Sequence, residues 1–345
     1  MTLTPYKEEI LSEPANLENA LANFESKSLD GLGKNLLEGQ FDRVVLTGMG
    51  ASLYSLYPTW ISLTSLAIPV LYVDLAELVH FANPLITKKT LLWVVSQSGR
   101  TAELETLYDR EKFHPAYFLA TVNDLGSPLA KHADQYLPIN AEVEKTVSTR
   151  TYINSLVINQ LAAKCLLGMD IQPDLNIFRR TVNLLDTYLR AMDEHVSEFI
   201  DEIGLPTHLA LIARGASLAS AWMGALMMHE AAKFPALAYN AGQFRHGPIE
   251  MVDENLTAIV MAGAQSTRDL NFRLFKDLLS FGAQGFWLSD KTLESTPAIQ
   301  IPSVEEIALP VMEIVALQLL SISIAEQRGL EAGKFFRIGK VTLKE

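Results

Sequence analysis

Apolar runs of strand length alternate with helical patterns along most of this chain, and this alternation limits the possible folds more than any other feature. The runs that predict strands are residues 43–47, 70–73, 91–95, 116–120, 136–139, 208–213, 256–261 and 285–288. The clearest helical patterns are residues 53–66, 101–108, 217–232 and 267–281. Strands that alternate with helices form βαβ units, so the sequence predicts an α/β fold whose parallel sheets carry helices on both faces.

The two halves of the chain look like copies of one another. Gly50-Ala51-Ser52 and Gly215-Ala216-Ser217 each stand between a predicted strand and a predicted helix. Three identical residues can recur by chance, but the matched context on both sides favours a duplication. The predicted organisation is an N-terminal helical segment (1–35), a first domain (36–172), a linker helix (173–203), a second domain (204–330) and a C-terminal tail over the active site (331–345).

Composition and charge exclude some classes of partner. The chain has 345 residues and a net charge of −12, with 49% apolar and 20% charged residues. A nucleic-acid-binding protein needs a basic face, so no nucleic-acid partner is expected. The N-terminus has no signal-peptide pattern, and the longest apolar stretches (58–73 and 308–324) look too short or too interrupted to span a bilayer. We therefore expect a cytoplasmic protein with no membrane partner.

The segment from Ser96 to Thr101 is the strongest candidate for a ligand site. It follows the apolar run 90–95 and precedes a helical pattern. A helix N-terminus offers unpaired N–H groups, hydroxyl side chains add donors, and Gly99 lets a ligand approach the backbone. The segment therefore predicts a phosphate site, although Ser98 can also be read as a helix cap.

Two residues of the second half are candidates for proton transfer. Glu230 lies near the end of a helical pattern, and His246 precedes a Gly-Pro turn that would fix its imidazole. A carboxylate and an imidazole supply the two proton-handling groups that sugar isomerisation needs. Each also has a plainer interpretation, as a solvated helix residue and a surface-turn histidine. No spacing suggests a zinc site, and no cofactor is expected, because the hydrogen would move as a proton.

In their order along the chain, these motifs resemble the sugar isomerase (SIS) domain family. The resemblance includes both Gly-Ala-Ser turns, the Ser-Gln-Ser-Gly-x-Thr loop, the Ala-Gly-x-x-x-His-Gly-Pro turn and the tail. It is closest to the isomerase half of glucosamine-6-phosphate synthase and its stand-alone relatives, which include deglycases, deaminases and phosphosugar isomerases. It implies two tandem SIS domains, each a doubly wound, flavodoxin-like parallel sheet flanked by helices, in a homodimer with shared active sites.

The resemblance also implies roles for individual residues. The residues that would grip a sugar 6-phosphate, or touch the sugar, are Ser52, Ser96, Gln97, Ser98, Thr101 and Ser148. Glu230 would move a proton between C1 and C2, and His246, from the neighbouring subunit, would open the ring. Lys340 would form a Schiff base with the ketose C2, although a lysine in a terminal tail is ordinarily solvated.

Three departures from the synthase pattern affect the expected reaction. The synthase has a glutaminase with a cysteine at position two, where this chain has Thr2, so we expect no glutaminase activity. Met223 and Met227 replace a glutamate and a lysine of its proton relay, and Phe335-Phe336 replaces Pro-Arg in its tail. The expected function is a phosphosugar enzyme acting on a 6-phosphorylated ketose, amino sugar or fructosamine. Deglycase, deaminase and isomerase remain open, with amine release favoured; the alternative is a non-catalytic phosphosugar sensor.

Overall fold

The computed structural model describes residues 3–108, 113–291, 296–337 and 339, which fall into two compact units. The first α/β unit holds the described residues within 15–144, 148–179 and 336–339, and the second holds those within 3–14, 145–147 and 180–335. The contiguous domain bounds given by the sequence stay a prediction.

The first α/β unit is built on a parallel sheet with the strand order β2-β1-β3-β4-β5. Its strands are β1 (Arg43–Gly48), β2 (Val70–Asp74), β3 (Thr90–Ser96), β4 (Tyr117–Val122) and β5 (Gln135–Pro138). The helices from residue 13 to residue 190 are α2 (Glu13–Ala22), α3 (Asp30–Leu37), α4 (Ala51–Ser55), α5 (Tyr57–Leu63), α6 (Leu75–His80), α7 (Ala102–Leu107), α8 (Pro128–His132), α9 (Arg150–Leu166) and α10 (Gln172–Arg190).

Both faces of this sheet are covered because its central strands contain continuous apolar runs rather than an apolar residue at every second position. Val44, Leu46 and Trp93 point into one buried cluster. Val45 and Val94, their neighbours in the chain, point into the other. Successive side chains of a strand lie on opposite faces, so a continuous apolar run requires a helical layer on each side.

The second α/β unit repeats the same topology, with the strand order β10-β9-β8-β6-β7. Its strands are β6 (His208–Ala213), β7 (Ala236–Asn240), β8 (Leu256–Met261), β9 (Gln284–Ser289) and β10 (Ala298–Gln300). Its helices are α1 (Pro5–Leu11), α11 (Met192–Glu202), α12 (Ser217–Glu230), α13 (Ala241–Phe244), α14 (Gln265–Ser280) and α15 (Leu309–Gln327). Read from its first strand, each sheet has the order 2-1-3-4-5, as a duplication predicts. The predicted fold class is confirmed.

Several elements differ from the sequence prediction in detail. Strands β7 and β10 were not predicted, since both are short and lie at the ends of their sheet. The pattern at 53–66 forms two helices separated at Leu56, with Pro58 in the first turn of α5. The predicted linker helix is also divided, because α10 and α11 are separated at Ala191.

Helix α15 is the most apolar helix in the described chain. With the turn before it, it forms a 22-residue segment of mean hydropathy 2.0, long and apolar enough by composition to cross a membrane. The stretch thus passes a length-and-composition test that the sequence analysis expected it to fail. However, 94% of its most apolar window is buried inside the protein, as in the core helix of a globular domain.

The carboxyl group of Glu313 on α15 predicts a pH-dependent stability. It is 1% exposed and accepts a hydrogen bond of 2.7 Å from the Ser217 hydroxyl. Burial raises the pKa of Glu313 from 4.5 to about 7. The folded chain therefore keeps a proton that the unfolded chain loses, so stability falls as the pH rises through this window, by up to about 3 kcal/mol. Glu313→Gln should remove most of this slope in urea unfolding between about pH 5 and about pH 8.

The matched control is Glu254→Gln, since Glu254 is exposed on a loop of the same unit. It should leave the slope unchanged. A Glu313→Gln protein whose stability fell with pH as steeply as the wild type would show that Glu313 is already ionised when folded.

Candidate active site

The loop from Ser96 to Thr101 leaves the carboxyl end of β3 with its hydroxyl oxygens already oriented. The Gly99 N–H donates to Ser96 Oγ at 3.1 Å, and the Arg100 N–H donates to Ser98 Oγ at 3.3 Å. In both contacts the serine oxygen accepts, which leaves its O–H proton available for a ligand oxygen. The two serines can therefore donate to an anion without giving up the bonds that shape the loop.

Gly99 is required by both backbone conformation and space. Its φ is +61°, in the left-handed region. A Cβ atom at this position would lie 2.3 Å from Ser127 Oγ and 2.7 Å from Ser127 Cβ. The backbone of the loop is therefore held directly against the segment that begins α8.

Thr101 supplies an unused hydroxyl at the start of α7. Its Oγ1 atom is buried and has no hydrogen-bond partner among the described residues. It also does not cap the helix that it precedes. A buried hydroxyl without a partner costs about 1–3 kcal/mol, which a ligand accepting its proton would recover. Of the hydroxyl groups in the loop, this one gives the strongest indication of a bound ligand.

Gln97 and Arg100 fix the loop to the end of β4. The Gln97 carbonyl oxygen accepts from the N–H groups of Asn123 at 3.1 Å and Asp124 at 3.3 Å. The Arg100 guanidinium donates to the Asp124 carboxylate at 2.8 Å and holds the pKa of that carboxyl below its usual range. The predicted role of Gln97 as a ligand stays a prediction, whereas its backbone has a clear structural one.

Ser52 lies next to this loop because β1 is paired with β3. Gly48 at the end of β1 stands opposite Val95, and a Cβ on Gly48 would lie 2.9 Å from the Val95 carbonyl oxygen. The chain then turns through Gly50, whose φ is +50°, into α4, which carries Ser52. In a sheet of order 2-1-3-4-5, β1 and β3 flank the switch point where ligands bind. Ser52 and the Ser96–Thr101 loop therefore follow neighbouring strand ends at this switch point.

Ser148 lies in the turn before α9, and the turn is held by a carboxylate that the sequence did not single out. Glu144 accepts from the N–H groups of Thr149 and Thr151, each at 2.9 Å, and from the Thr151 hydroxyl at 2.7 Å. An acidic side chain at the N-terminus of a long helix is favoured by the helix dipole. A glutamate shortly before a Ser-Thr-x-Thr segment was the available sequence signal.

Glu230 ends α12 in the second unit and is half-buried. The phenol of Tyr6 from α1 is among the groups near it, and the Tyr6 oxygen bonds Ser321 Oγ at 3.0 Å. Burial raises the pKa of Tyr6, and the charge of Glu230 adds to this effect. Tyr6 therefore stays a neutral hydroxyl beside this carboxylate, a neighbour that the sequence analysis missed.

His246 lies on an exposed turn beyond α13. The side chain of Asn240 caps α13, the His246 N–H donates to the Gln243 carbonyl oxygen at 2.9 Å, and Gly247 follows with a φ of +134°. The predicted Gly-Pro turn therefore does fix the backbone at His246. Its imidazole is left open to solvent.

Glu230 and His246 lie on opposite faces of the second sheet. A Cβ on Gly224 of α12 would touch Leu211, so α12 packs on the Leu211 face of β6. Phe244, just before His246, belongs to the cluster on the other face, with Ile212. No hydrogen bond or ion pair joins the two side chains across the described part of the chain. One copy of the protein does not bring this acid and this imidazole together.

The last residues named in the sequence analysis are Met223, Met227 and Lys340. Met223 and Met227 are fully buried in the core, as their apolar side chains require. Lys340 lies outside the described residues. Within the described ranges, no group of three histidine, cysteine or acidic side chains could hold a metal ion.

The second unit has the same turn, but acidic side chains of the protein contact the positions that correspond to the candidate site. Ser217, the counterpart of Ser52, donates to Glu313 at 2.7 Å. The N–H of Gln265, at the start of α14, donates to the Glu306 carboxylate at 2.8 Å. The counterparts of two positions in the candidate site of the first unit therefore contact protein acids in the second.

Comparison with known proteins agrees with this fold. Residues 206–325 match the family model of the SIS domain. The strand order of the first unit repeats that of the matched region, and the fold is that of two tandem SIS domains.

The relatives and solved structures cover nearly the whole chain. A glutamine–fructose-6-phosphate aminotransferase (isomerizing) from Thermus thermophilus is 29% identical over 336 residues, which cover 92% of this chain and 55% of the relative. The C-terminal domain of the Francisella tularensis glucosamine-fructose-6-phosphate aminotransferase has a TM-score of 0.82 at 21% identity and covers 96% of this chain and 98% of that one.

A further solved structure, the glucosamine-6-phosphate deaminase from Thermotoga maritima, has a TM-score of 0.78 at 20% identity and covers 98% of this chain and 99% of that one. At these identities, the structural likeness is one of fold. The chain spans about half the length of the curated relatives that it matches.

The unpartnered hydroxyl of Thr101 yields a direct test of the phosphate site. Thr101→Val keeps the shape of the side chain and removes only the donor. We expect the affinity for fructose 6-phosphate, measured by calorimetry, to fall about 10- to 100-fold, because a hydrogen bond to a charged oxygen is lost. Folding stability should not fall, since no bond within the protein is broken. Thr106→Val on the same helix is the control, and equal affinities of both variants and the wild type would exclude Thr101 from the site.

Proposed function

We propose that this chain is an enzyme that acts on a 6-phosphorylated ketose, amino sugar or fructosamine by moving a proton between C1 and C2. The observation that carries the proposal is the loop at the β1/β3 switch point, with two preoriented serines and the unpartnered Thr101 hydroxyl. A dianionic phosphate matches several converging hydroxyl and N–H donors. The coverage by aminotransferase isomerase domains and a deaminase supports a phosphosugar substrate.

In the proposed reaction, the phosphate anchors the sugar while Glu230 handles the proton. For a fructosamine 6-phosphate, the Glu230 carboxylate removes a proton from C1 to give an enaminol, and the proton returns to C2. The resulting imine at C1 adds water and releases the free amine and a hexose 6-phosphate, so that water is the only co-reactant. His246 assists at the ring oxygen, and the buried Met223 and Met227 take no part in proton transfer.

Product analysis with the purified protein distinguishes the possible reactions. The substrates are fructosamine 6-phosphates, glucosamine 6-phosphate, and fructose 6-phosphate with and without ammonia. Release of an amine from the first identifies a deglycase, release of ammonia from the second a deaminase, and formation of an aldose 6-phosphate an isomerase. Tight binding of sugar phosphates with turnover of none would favour the sensor instead.

Glu230→Gln tests the base. The amide keeps the size of the side chain but cannot accept the proton, so we expect kcat to fall at least about a thousandfold while the Kd for fructose 6-phosphate changes little. Glu194→Gln, at an exposed position of α11, is the control and should keep wild-type kinetics. Near-normal turnover by Glu230→Gln would remove Glu230 from the mechanism.

The separation of Glu230 and His246 predicts complementation between copies. We propose that a homodimer completes each site, with His246 supplied by the second copy. Glu230→Gln and His246→Asn proteins should each be inactive alone. Refolded together in equal amounts, they should recover about a quarter of wild-type activity, because half of the dimers are hybrids with one intact site each. A mixture no more active than its components would show that both residues act from the same chain or that one is dispensable.

A further inference from the structure

Three residues after α12 ends at Glu230, a lysine takes a backbone conformation that normally belongs to glycine. The Phe234 N–H donates to the Met228 carbonyl oxygen at 2.8 Å, a backbone bond between residues six apart that closes the turn after α12. Lys233 stands between them with a φ of +54°. Among the described residues, it is one of two non-glycine residues with a positive φ, the other being Asn140. Glycine is the usual residue here because a Cβ is disfavoured in this conformation.

The side chain of Lys233 turns back toward Glu230. Its Nζ donates to the Glu230 carbonyl oxygen. Burial lowers the pKa of Lys233, and the negative charge of Glu230 acts in the opposite direction, so the ammonium and the carboxylate are within electrostatic reach. The lysine therefore stays beside the acid although burial disfavours its charge. A cap alone does not explain this arrangement, since glycine would close the same turn without strain.

Tyr6, Met227 and Arg328 also lie near the C-terminal end of α12. Tyr6, from α1, is neutral and fully buried, and Met227, one turn before Glu230, is an apolar thioether. The nearby guanidinium of Arg328 lies over the ring of Phe234, 5.8 Å from its centroid. Lys233 is a cation whose interaction with Glu230 the structure records.

We propose that Lys233 is a positioning residue for Glu230, whose ammonium keeps the carboxylate ionised and ready to accept the substrate proton. The inference rests on the proposed function of Glu230. An opposite charge nearby favours the ionised form of an acid, so the lysine extends the pH range over which Glu230 can act as a base. The unfavourable backbone conformation is retained because it places this amine beside the acid.

Three variants separate the charge from the turn. Lys233→Met removes the charge, Lys233→Arg keeps it, and Lys233→Gly removes the side chain while relieving the backbone. We expect the acidic limb of the kcat/KM pH profile to move to higher pH by about one unit in Lys233→Met and Lys233→Gly. At pH values on that limb, kcat/KM should then be about tenfold lower than in the wild type. Lys233→Arg should stay close to the wild type. Lys233→Gly should also raise the midpoint of thermal unfolding, so that activity and stability change in opposite directions.

The matched control is Asn140→Gly, which relieves the other left-handed residue. It should raise the unfolding midpoint and leave the pH profile unchanged. A Lys233→Gly protein that is more stable but has a wild-type pH profile would reduce Lys233 to a helix terminator and overturn the proposal.

A second measurement is independent of turnover. In protein labelled with ¹³C at the glutamate carboxyl carbon, the Glu230 signal is assigned by its loss in Glu230→Gln. Its titration midpoint should rise in Lys233→Met and Lys233→Gly, and an unchanged midpoint would contradict the proposal even if no substrate is found. Absence of turnover by the wild type, with the midpoint shifted as expected, would reject the proposed function and leave the Lys233–Glu230 coupling standing.

Discussion

The close pairing of β1 with β3 is the constraint on which the candidate phosphate site depends. Gly48 faces Val95 across the two strands with no room for a side chain, so both strands end together and their loops leave from the same point. Ser52 and the Ser96–Thr101 loop then follow neighbouring strand ends at the switch point, where ligands of such sheets bind. Gly99, packed against Ser127, fixes the far side of the loop. The hydroxyl geometry thus follows from backbone contacts that only glycine permits.

Duplication and divergence explain why the ligand site is assigned to the first unit. Both sheets have the same strand order, and in each unit the first strand is followed by a Gly-Ala-Ser turn. In the second unit, the Ser217 hydroxyl donates to the Glu313 carboxyl group, and the Gln265 N–H at the start of α14 donates to Glu306. These acids satisfy groups that a phosphate would otherwise bind. The second unit is left with a different contribution, namely Glu230 on one face of its sheet and His246 on the other.

The sequence predicted the elements whose signals are local. Strands β6 and β8 were predicted to the residue, because a buried parallel strand is a continuous apolar run. The loop after β3 was found because hydroxyls and a glycine between a strand and a helix have a distinct pattern. The short edge strand β7 was missed, since Ala236–Asn240 is half exposed and contains no β-branched residue.

The missed parts of the candidate site depend on backbone geometry and on contacts between distant residues. Nothing in the sequence around Lys233 indicates a left-handed conformation, where glycine would be expected. The contact of Tyr6 with the region of Glu230 joins residues more than two hundred positions apart. The separation of Glu230 and His246 by a sheet is also a tertiary property: the sequence shows only that they are sixteen residues apart. Local patterns identified the groups, whereas their grouping into sites required the fold.

Exchange of substrate hydrogen with solvent tests the central claim most directly, because it detects proton transfer at the sugar whatever group later leaves. Incubation of fructose 6-phosphate, or of a fructosamine 6-phosphate, with the protein in D₂O should place deuterium on C1, observed by NMR as loss of one C1 proton signal. The exchange should depend on the 6-phosphate and be absent for free fructose. Tight binding of these sugar phosphates without any deuterium at C1 would contradict proton transfer by this site.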